Sequence, residues 1–315
     1  MKRQRGVVLL TAIIMVALAT IVAAAIAFDT GMMARRAEGG NALDQALLVG
    51  GGAEALAAFA VTEQLRDGSG VIHGGQLWAR PIGPLEVLPG VVLAAQLGDL
   101  DGRFNLNHLV DADGVKQEDA MAVFERLLRN LDLEPEWAAR MVDWLDVDGQ
   151  PEPAGAEDAS YSSETPGYRA PNRAITSASE LLALRGFGAE RYRKLLPYVT
   201  ALPRGSAINL CTASAVLLDA LADQRQWSQA PEALARNREG GCFPRSSVFQ
   251  ASFTDPQLFA RLQQAFSFGE TSTYFSLRSV TTVGSAQFAL YSLLGYESGA
   301  GGPARVRVIA RSFTP

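Results

Sequence analysis

Histidine is almost absent: His73 and His108 are the only two in 315 residues, and they sit in unrelated contexts. That scarcity leaves few candidates for a His-rich zinc site or a nucleophile–histidine–acid arrangement. No Gly-rich phosphate loop, G-x-S-x-G elbow or H-E-x-x-H pair occurs, so the familiar enzyme signatures are missing as well. Positive charge is in deficit, with 28 Lys and Arg against 33 Asp and Glu and a net charge of -5. A general grip on nucleic-acid phosphates is therefore disfavoured. Cysteine is limited to Cys211 and Cys242. The rest is the composition of a folded protein rich in Gly and Ala, long enough for two packed units beyond its N-terminal segment.

What is present begins at the first residue. Lys2, Arg3 and Arg5 precede Gly6, and residues 7–28 hold no Asp before Asp29 and no Glu, Lys or Arg. At about 1.5 Å per residue, a helix over that run crosses a hydrocarbon core of about 30 Å. The basic residues before it keep the N-terminus cytoplasmic and put the body outside. A cleaved secretory signal has a shorter apolar region, although Ala25-Ile26-Ala27 mimics its small-residue cleavage site. A plain uncleaved anchor fits the same hydrophobicity and charge. A short basic leader ending in glycine and abutting a long apolar helix, "MKRQRGVVLLTAIIMVALATIVAAA", resembles the leader of type IV pilins and pseudopilins. The resemblance implies cleavage between Gly6 and Val7, methylation as in that family, and retention of the apolar helix.

One departure narrows the resemblance. Most members carry Glu at the fifth position after the cut, which here is Thr11. Loss of that Glu is typical of the minor pseudopilin K family of type II secretion, whose subunit is thought to sit at a filament tip. With no subunit above it, a buried carboxylate there would lack its partner.

Beyond Phe28 the pattern turns amphipathic, and one long helix is expected from Val7 to Leu65, ended by the turn residues of "RDGSG". Strands are expected in "GQLWARPI", "LEVLPG" and "VVLAAQLGDLDGRFNLN", and again in "TYFSLRSVTTV", "AQFALYSLLGYES" and "ARVRVIARSF". Between these groups the periodicity is helical, as in "KQEDAMAVFERLLRNLDL" and in "PEWAARMVDWLDVD", where Pro135 suits a helix start. The expected fold is α+β: a long N-terminal helix, transmembrane at its start, packed on an antiparallel pseudopilin-type sheet with a large helical insert. The organisation reads as leader 1–6, transmembrane part 7–28, pseudopilin helix and first strands 29–108, helical insert 109–270 and final strands 271–315.

Seven carboxylates, Asp143, Asp146, Asp148, Glu152, Glu157, Asp158 and Glu164, occupy residues 143–164 without one Lys or Arg. An acidic loop is usually a solvated one. Pro and Gly fold this one back on itself, and carboxylates held that close repel unless a hard cation bridges them. An EF-hand is excluded: with Asp146, Asp148 and Gln150 at loop positions one, three and five, Pro151 takes the sixth, where glycine is needed. This stretch, with "RAPNR" and "SASEL", resembles the calcium-binding segment of the K family. The resemblance implies calcium, with Asp143, Asp146, Asp148, Glu157 and Asp158 as candidate ligands.

"LRGFGAERYRKLLPYVT" resembles a helix-hairpin-helix, and "INLCTASAVLLDAL" the start of a second copy. Arg185, Arg191, Arg193 and Lys194 give a rival reading, a membrane-anchored DNA-binding protein of a competence or pilus machine. A small helical packing module is the plainer account, and net charge and location favour it. An enzyme built on the acidic loop is disfavoured because so dense a cluster suits an ion better. Outside the cytoplasm Cys211 and Cys242 are free to pair, closing a loop worth about 3–4 kcal/mol in the chain-entropy account. Whether their Cα atoms approach is open.

The K-family resemblance runs from leader to last strand, most specifically at residues 6–28, 98–109 and 142–184. It implies a non-enzymatic subunit of the inner membrane, crossing once, whose periplasmic body joins a pseudopilus. The implied partners are I- and J-type minor pseudopilins, the major pseudopilin, prepilin peptidase and secreted substrates, with no nucleic acid.

Overall fold

The computed structural model describes residues 4–66, 70–297 and 305–314. Residues 1–3 of the leader, 67–69 of the expected turn, and 298–304 and 315 near the C-terminus lie outside the described residues.

Helix α1, Gln4–Arg66, is continuous over 63 residues, about 95 Å at 1.5 Å per residue. The Gly6–Val7 bond lies in its first turns. Among the described residues its apolar first part packs against nothing, and it is the one described helix long and apolar enough to cross a membrane. Hydroxyls in and just beyond that part are satisfied within the helix: Thr11 Oγ1 donates to the Val8 carbonyl at 2.9 Å, Thr20 to Ala17 at 2.8 Å and Thr30 to Ile26 at 2.7 Å.

The second half of α1 lies on a five-stranded antiparallel sheet. Its strands are β1 (Ile82–Leu88), β2 (Val91–Asp99) and, after a long insertion, β7 (Tyr274–Val283), β8 (Ala286–Glu297) and β9 (Arg305–Ser312), in spatial order β1-β2-β7-β8-β9. Small residues let helix and sheet approach: Ala53, Ala57 and Val61 meet Leu93, Leu97, Phe275, Leu277, Leu294 and Val306. At Gly50 an added Cβ would stand 3.0 Å from Leu290 Cδ2. Glu54 is buried in this interface and accepts hydrogen bonds from Ser292 Oγ at 2.6 Å and from Arg311 Nε and Nη2 at 2.8 and 2.7 Å. Burial alone would raise its pKa, but the bonds from Arg311 and Ser292 outweigh it and hold the carboxyl below its ordinary value.

The insertion between β2 and β7 is a helical domain with its own core. In chain order it contains β3 (Phe104–Asn105), α2 (Glu118–Asn130), α3 (Trp137–Leu145), α4 (Asp158–Tyr161) and α5 (Gly188–Leu195). There follow β4 (Val199–Thr200), β5 (Ala207–Asn209), α6 (Ala215–Ala222), α7 (Pro231–Glu239), α8 (Ser246–Ala251), α9 (Pro256–Ala265) and β6 (Ser267–Gly269). Two short parallel ladders, β3 with β4 and β5 with β6, tie its ends together. Phe104, Phe124, Leu127, Met141, Leu145, Phe187, Leu217, Leu221, Phe249 and Phe266 form one buried cluster. Cys211 and Cys242 are disulfide-bonded with Cα atoms 4.6 Å apart.

Two local expectations change. "GQLWARPI" does not form a strand: Leu77–Ala79 is a 3₁₀ turn with Trp78 buried edge-on against Phe275. The Gln76 side chain holds that turn, accepting from Trp78 Nε1 at 2.7 Å and donating to the Val71 carbonyl at 2.9 Å. The chain also leaves the sheet at Asp99, whose Oδ1 accepts the Asp101 N–H at 2.9 Å, so "GRFNLN" belongs to the insert side. In "INLCTASAVLLDAL" Ile208 and Asn209 lie in β5, and α6 then α7 follow.

Candidate metal centre

Helix α3 is amphipathic and ends at Leu145, where Asp146 turns extended, with its N–H still bonded to the Val142 carbonyl at 2.9 Å. The chain then doubles back through Pro and Gly to α4. Asp143, fully buried in the last turn of α3, anchors this return: its Oδ1 accepts the Glu152 N–H at 3.0 Å. Gly155 closes against it, since a Cβ there would fall 2.0 Å from Asp143 Oδ2. Only glycine allows the loop to wrap that tightly. Asp148 Oδ1 accepts the Gln150 N–H at 2.8 Å, which curls the acidic tip inward.

The outcome is that Asp146, Asp148 and Glu157 each bring a carboxylate oxygen within 4.8 Å of the others. Two ligand oxygens on opposite sides of a calcium ion, each about 2.4 Å from it, are separated by about that span. Asp146 is 4% exposed and Glu157 7%, and their Oδ1 and Oε1 atoms are buried with no hydrogen-bond partner. Among the described residues no Lys or Arg forms an ion pair with any of these three carboxylates. Burial, and then repulsion from Asp148, Asp143 and Glu157, pushes the Asp146 carboxyl up to about 7. Burial and then the Asp143 charge push Glu157 up to about 6. Oxygen-only donors, orphaned buried acceptors and unrelieved negative charge fit a hard divalent cation.

The other two candidate ligands are engaged elsewhere. Asp143 is spent on loop amides, as above. Asp158 Oδ1 accepts the Ala170 N–H at 3.0 Å, and its Oδ2 lies 3.7 Å from Arg169 Nε. Asn172, in "RAPNR", adds a group that the carboxylate pattern does not point to; its Nδ2 donates to the Asp148 carbonyl at 3.5 Å and its Oδ1 is buried without a partner. Its backbone is left-handed, φ 47°, a conformation Asn adopts more readily than most residues. Beneath the loop, Trp144 meets Tyr161 and Tyr168 edge to face, the two tyrosine rings are tilted at 31° to one another, and Trp144 Nε1 donates to Glu180 Oε2 at 3.3 Å.

Three of the four basic residues singled out around α5 pair with carboxylates. Arg191 makes paired bonds to Glu134 at 2.9 and 2.7 Å and lies over the Trp137 ring. Arg185 pairs with Glu164 at 2.6 Å, Lys194 lies 3.6 Å from Asp132, and Arg193 Nε donates to the Ala189 carbonyl at 3.2 Å. Nothing in this arrangement supports the DNA-binding alternative.

Residues 102–204 match the family described as type II secretion system protein K. The type II secretion system protein K of Pseudomonas aeruginosa is 35% identical over 320 residues, covering 98% of this chain and 93% of that protein. Its counterpart from Pectobacterium carotovorum is 31% identical over 325 residues, covering 99% and 97%. Among solved structures, a chain of the GspK–GspI–GspJ complex of the enterotoxigenic Escherichia coli type 2 secretion system superposes with a TM-score of 0.71 at 26% identity. That match covers 88% of this chain and 98% of the other.

Proposed function

This chain belongs to the protein K family of type II secretion systems, and we propose that it initiates or caps the tip of the periplasmic pseudopilus that drives folded proteins across the outer membrane. The observation that carries this reading is architectural. A membrane-length apolar helix continues unbroken into a helix on an antiparallel sheet, and that sheet is split between β2 and β7 by a helical domain of its own core.

The leader to Gly6 is removed in the inner membrane by prepilin peptidase, leaving Val7 as the new terminus and residues 7–28 as the anchor. The body faces the periplasm, a compartment compatible with the Cys211–Cys242 bond. I- and J-type minor pseudopilins are its neighbours in a tip complex, with the major pseudopilin below. Thr11 supports the tip position physically: it is uncharged, and its hydroxyl is satisfied within its own helix, so it needs no partner from a subunit above it. The chain acts by assembly, and the absence of nucleophile–base pairing in the sequence accords with that.

Calcium is the cation best suited to the acidic loop. Asp146, Asp148 and Glu157 would hold it, with backbone carbonyls and the Asn172 side chain available nearby. When bound it neutralises the crowded carboxylates and fixes the return from α3 to α4; it supplies no catalysis.

N-terminal mass spectrometry of the mature protein, coupled to capture of membrane partners, tests the reading. A terminus at Val7 with I- and J-type partners is expected. A terminus at or after Phe28, releasing the body from the membrane, would contradict it.

A further inference from the structure

The face of the sheet turned away from α1 forms one wall of a cleft, and the insert forms the other. Buried residues of the α1 side alternate along each strand with residues of the far face. Ala95 and Leu97 flank Gln96, Leu277 and Ser279 flank Arg278, and Leu290 and Ser292 flank Tyr291. Gln96, Arg278, Tyr291 and Ser312 pair in succession across β2, β7, β8 and β9, so they form one row on that far face. Opposite this row the insert presents Arg103, residues 176–179, Tyr192 and Leu196. The space between is about 670 Å³. Sites that enclose a drug-sized ligand run from about 300 to 1,000 Å³.

The charge of this cleft runs against that of the chain. In a protein of net charge -5, no Asp or Glu lines it and three arginines do. Arg311 is spent on Glu54. The other two form no ion pair among the described residues: exposed Arg278 donates Nε to the Tyr291 hydroxyl at 3.4 Å, and half-buried Arg103 donates Nη1 to the Leu196 carbonyl at 3.3 Å. Burial works against the Arg103 charge, and Asp99 offsets that only in part. Both Asp99 oxygens are already taken, Oδ1 by the Asp101 N–H and Oδ2 by Thr212, Asn209 and Ser272. Glu180, next to Ser179, is spent on the Thr176 N–H and on Trp144 Nε1. The rest of the lining mixes hydroxyls with apolar surface, as at Ser177, Thr200, Ser276, Tyr192 and Leu293.

Resting on the assembly reading above, we propose that this cleft seats a short, extended, carboxylate-rich peptide segment of a protein from outside the pseudopilus. Charge selects the segment. A guanidinium meets a carboxylate through two parallel N–H···O bonds, and Arg103 and Arg278 each have donors left for that purpose. The hydroxyls of both walls suit the N–H and carbonyl groups that an extended backbone leaves unpaired. Position selects an outside partner. Subunits anchored through helices like α1 gather on the α1 side of the sheet, and the cleft lies on the other side. The insert completes the site, because it supplies Arg103 and one whole wall; the sheet by itself holds half of it.

The test uses the full chain in lipid nanodiscs and a fluorescent hexapeptide of alternating glutamate and serine, read by anisotropy. Binding of this peptide is expected, and none of its lysine–serine counterpart. Arg278→Glu, at an exposed position, and Arg103→Gln should each weaken binding about tenfold or more, as loss of a charge-assisted hydrogen bond does. Arg305→Glu, on β9 but outside the cleft, should leave it unchanged. A photoreactive group on the peptide should mark Tyr192 or Tyr291. No binding to the wild-type chain, an equal loss in Arg305→Glu, or full displacement by millimolar inorganic phosphate would overturn the seat. Displacement by added I- and J-type partners would also overturn it, making the cleft a pseudopilin contact, and would leave the assembly reading intact. Failure of the wild-type chain to recover either partner would instead overturn the assembly reading, and with it the assignment of the segment to an outside protein.

Discussion

At the scale of single residues, the acidic loop makes opposite demands with and without a cation. In the metal-free protein Asp146 and Glu157 are held up to about 7 and about 6, first by burial and then by neighbouring carboxylates. An acid whose folded pKa exceeds its unfolded value of about 4 contributes stability while protonated and loses it as pH rises through the folded value. Melting of the metal-free protein by circular dichroism should therefore show wild type less stable than Asp146→Asn at pH 8, with the difference shrinking toward pH 5. Adding calcium at pH 8 should raise the wild-type melting temperature and leave Asp146→Asn nearly unmoved. No calcium effect on wild type would refute the metal assignment. His108 runs the other way: burial lowers it to about 4, and its Nδ1 has no hydrogen-bond partner. Its stabilising contribution is complete above about 6.5 and fades as pH falls toward 4. His108→Leu should remove that part of the acid sensitivity, and an unchanged acid limb of the pH–stability curve would contradict it. At Gly155 the absent Cβ is the point. Gly155→Ala pushes into Asp143 Oδ2 and should cost about 1–3 kcal/mol, together with calcium affinity measured by titration calorimetry.

At the scale of elements, α1 is held to its sheet by small residues and one ion pair. Arg311→Met strands Glu54, which is 3% exposed, with only Ser292 for company. Because the Arg311 side chain is 59% exposed, the loss is expected at about 1–2 kcal/mol, below that for a wholly buried pair. Glu54→Gln combined with Arg311→Met should recover part of it, and denaturant melts of the four-variant cycle measure the coupling. Elements with strong periodicity are legible in the amino-acid order: residues 7–28 as an apolar helix, α2 by its one-sided apolar face, and β7, β8 and β9 by alternation. The turn at Leu77–Ala79 was not, because the side-chain bonds of Gln76 outweigh a local alternation that suits a strand equally well. The candidate site was legible as a density of carboxylates, not as a set of roles. Asp158 is claimed by Ala170 and Arg169, and Asp143 by the amide of Glu152, partners that become neighbours only after the loop folds back. The departure of the chain at Asp99 has the same character, since its other oxygen is taken by Ser272 at 2.7 Å from the far end of the insert.

At the scale of the whole molecule, one rod and one sheet serve the membrane and the filament, and the insert adds bulk above them. The insert returns to the sheet through the half-buried Asp99 and the buried Asp101 and Asn209, so insert and sheet share a polar joint instead of a flexible linker. Asp99 accepts from Asn209 Nδ2 at 3.2 Å, and Asp101 Oδ2 accepts the Thr273 and Tyr274 N–H groups at 2.6 and 2.8 Å. A domain so joined follows the sheet it interrupts, as the tip position proposed above requires. The Cys211–Cys242 bond closes a 31-residue span inside that domain. Cys242→Ala should lower its stability by about 3–4 kcal/mol if the chain-entropy account holds. The most direct test of the central claim is immunogold labelling of the insert on pseudopili assembled with all their subunits. Label at one end of each filament is the expected result, and label repeated along the shaft would contradict the account.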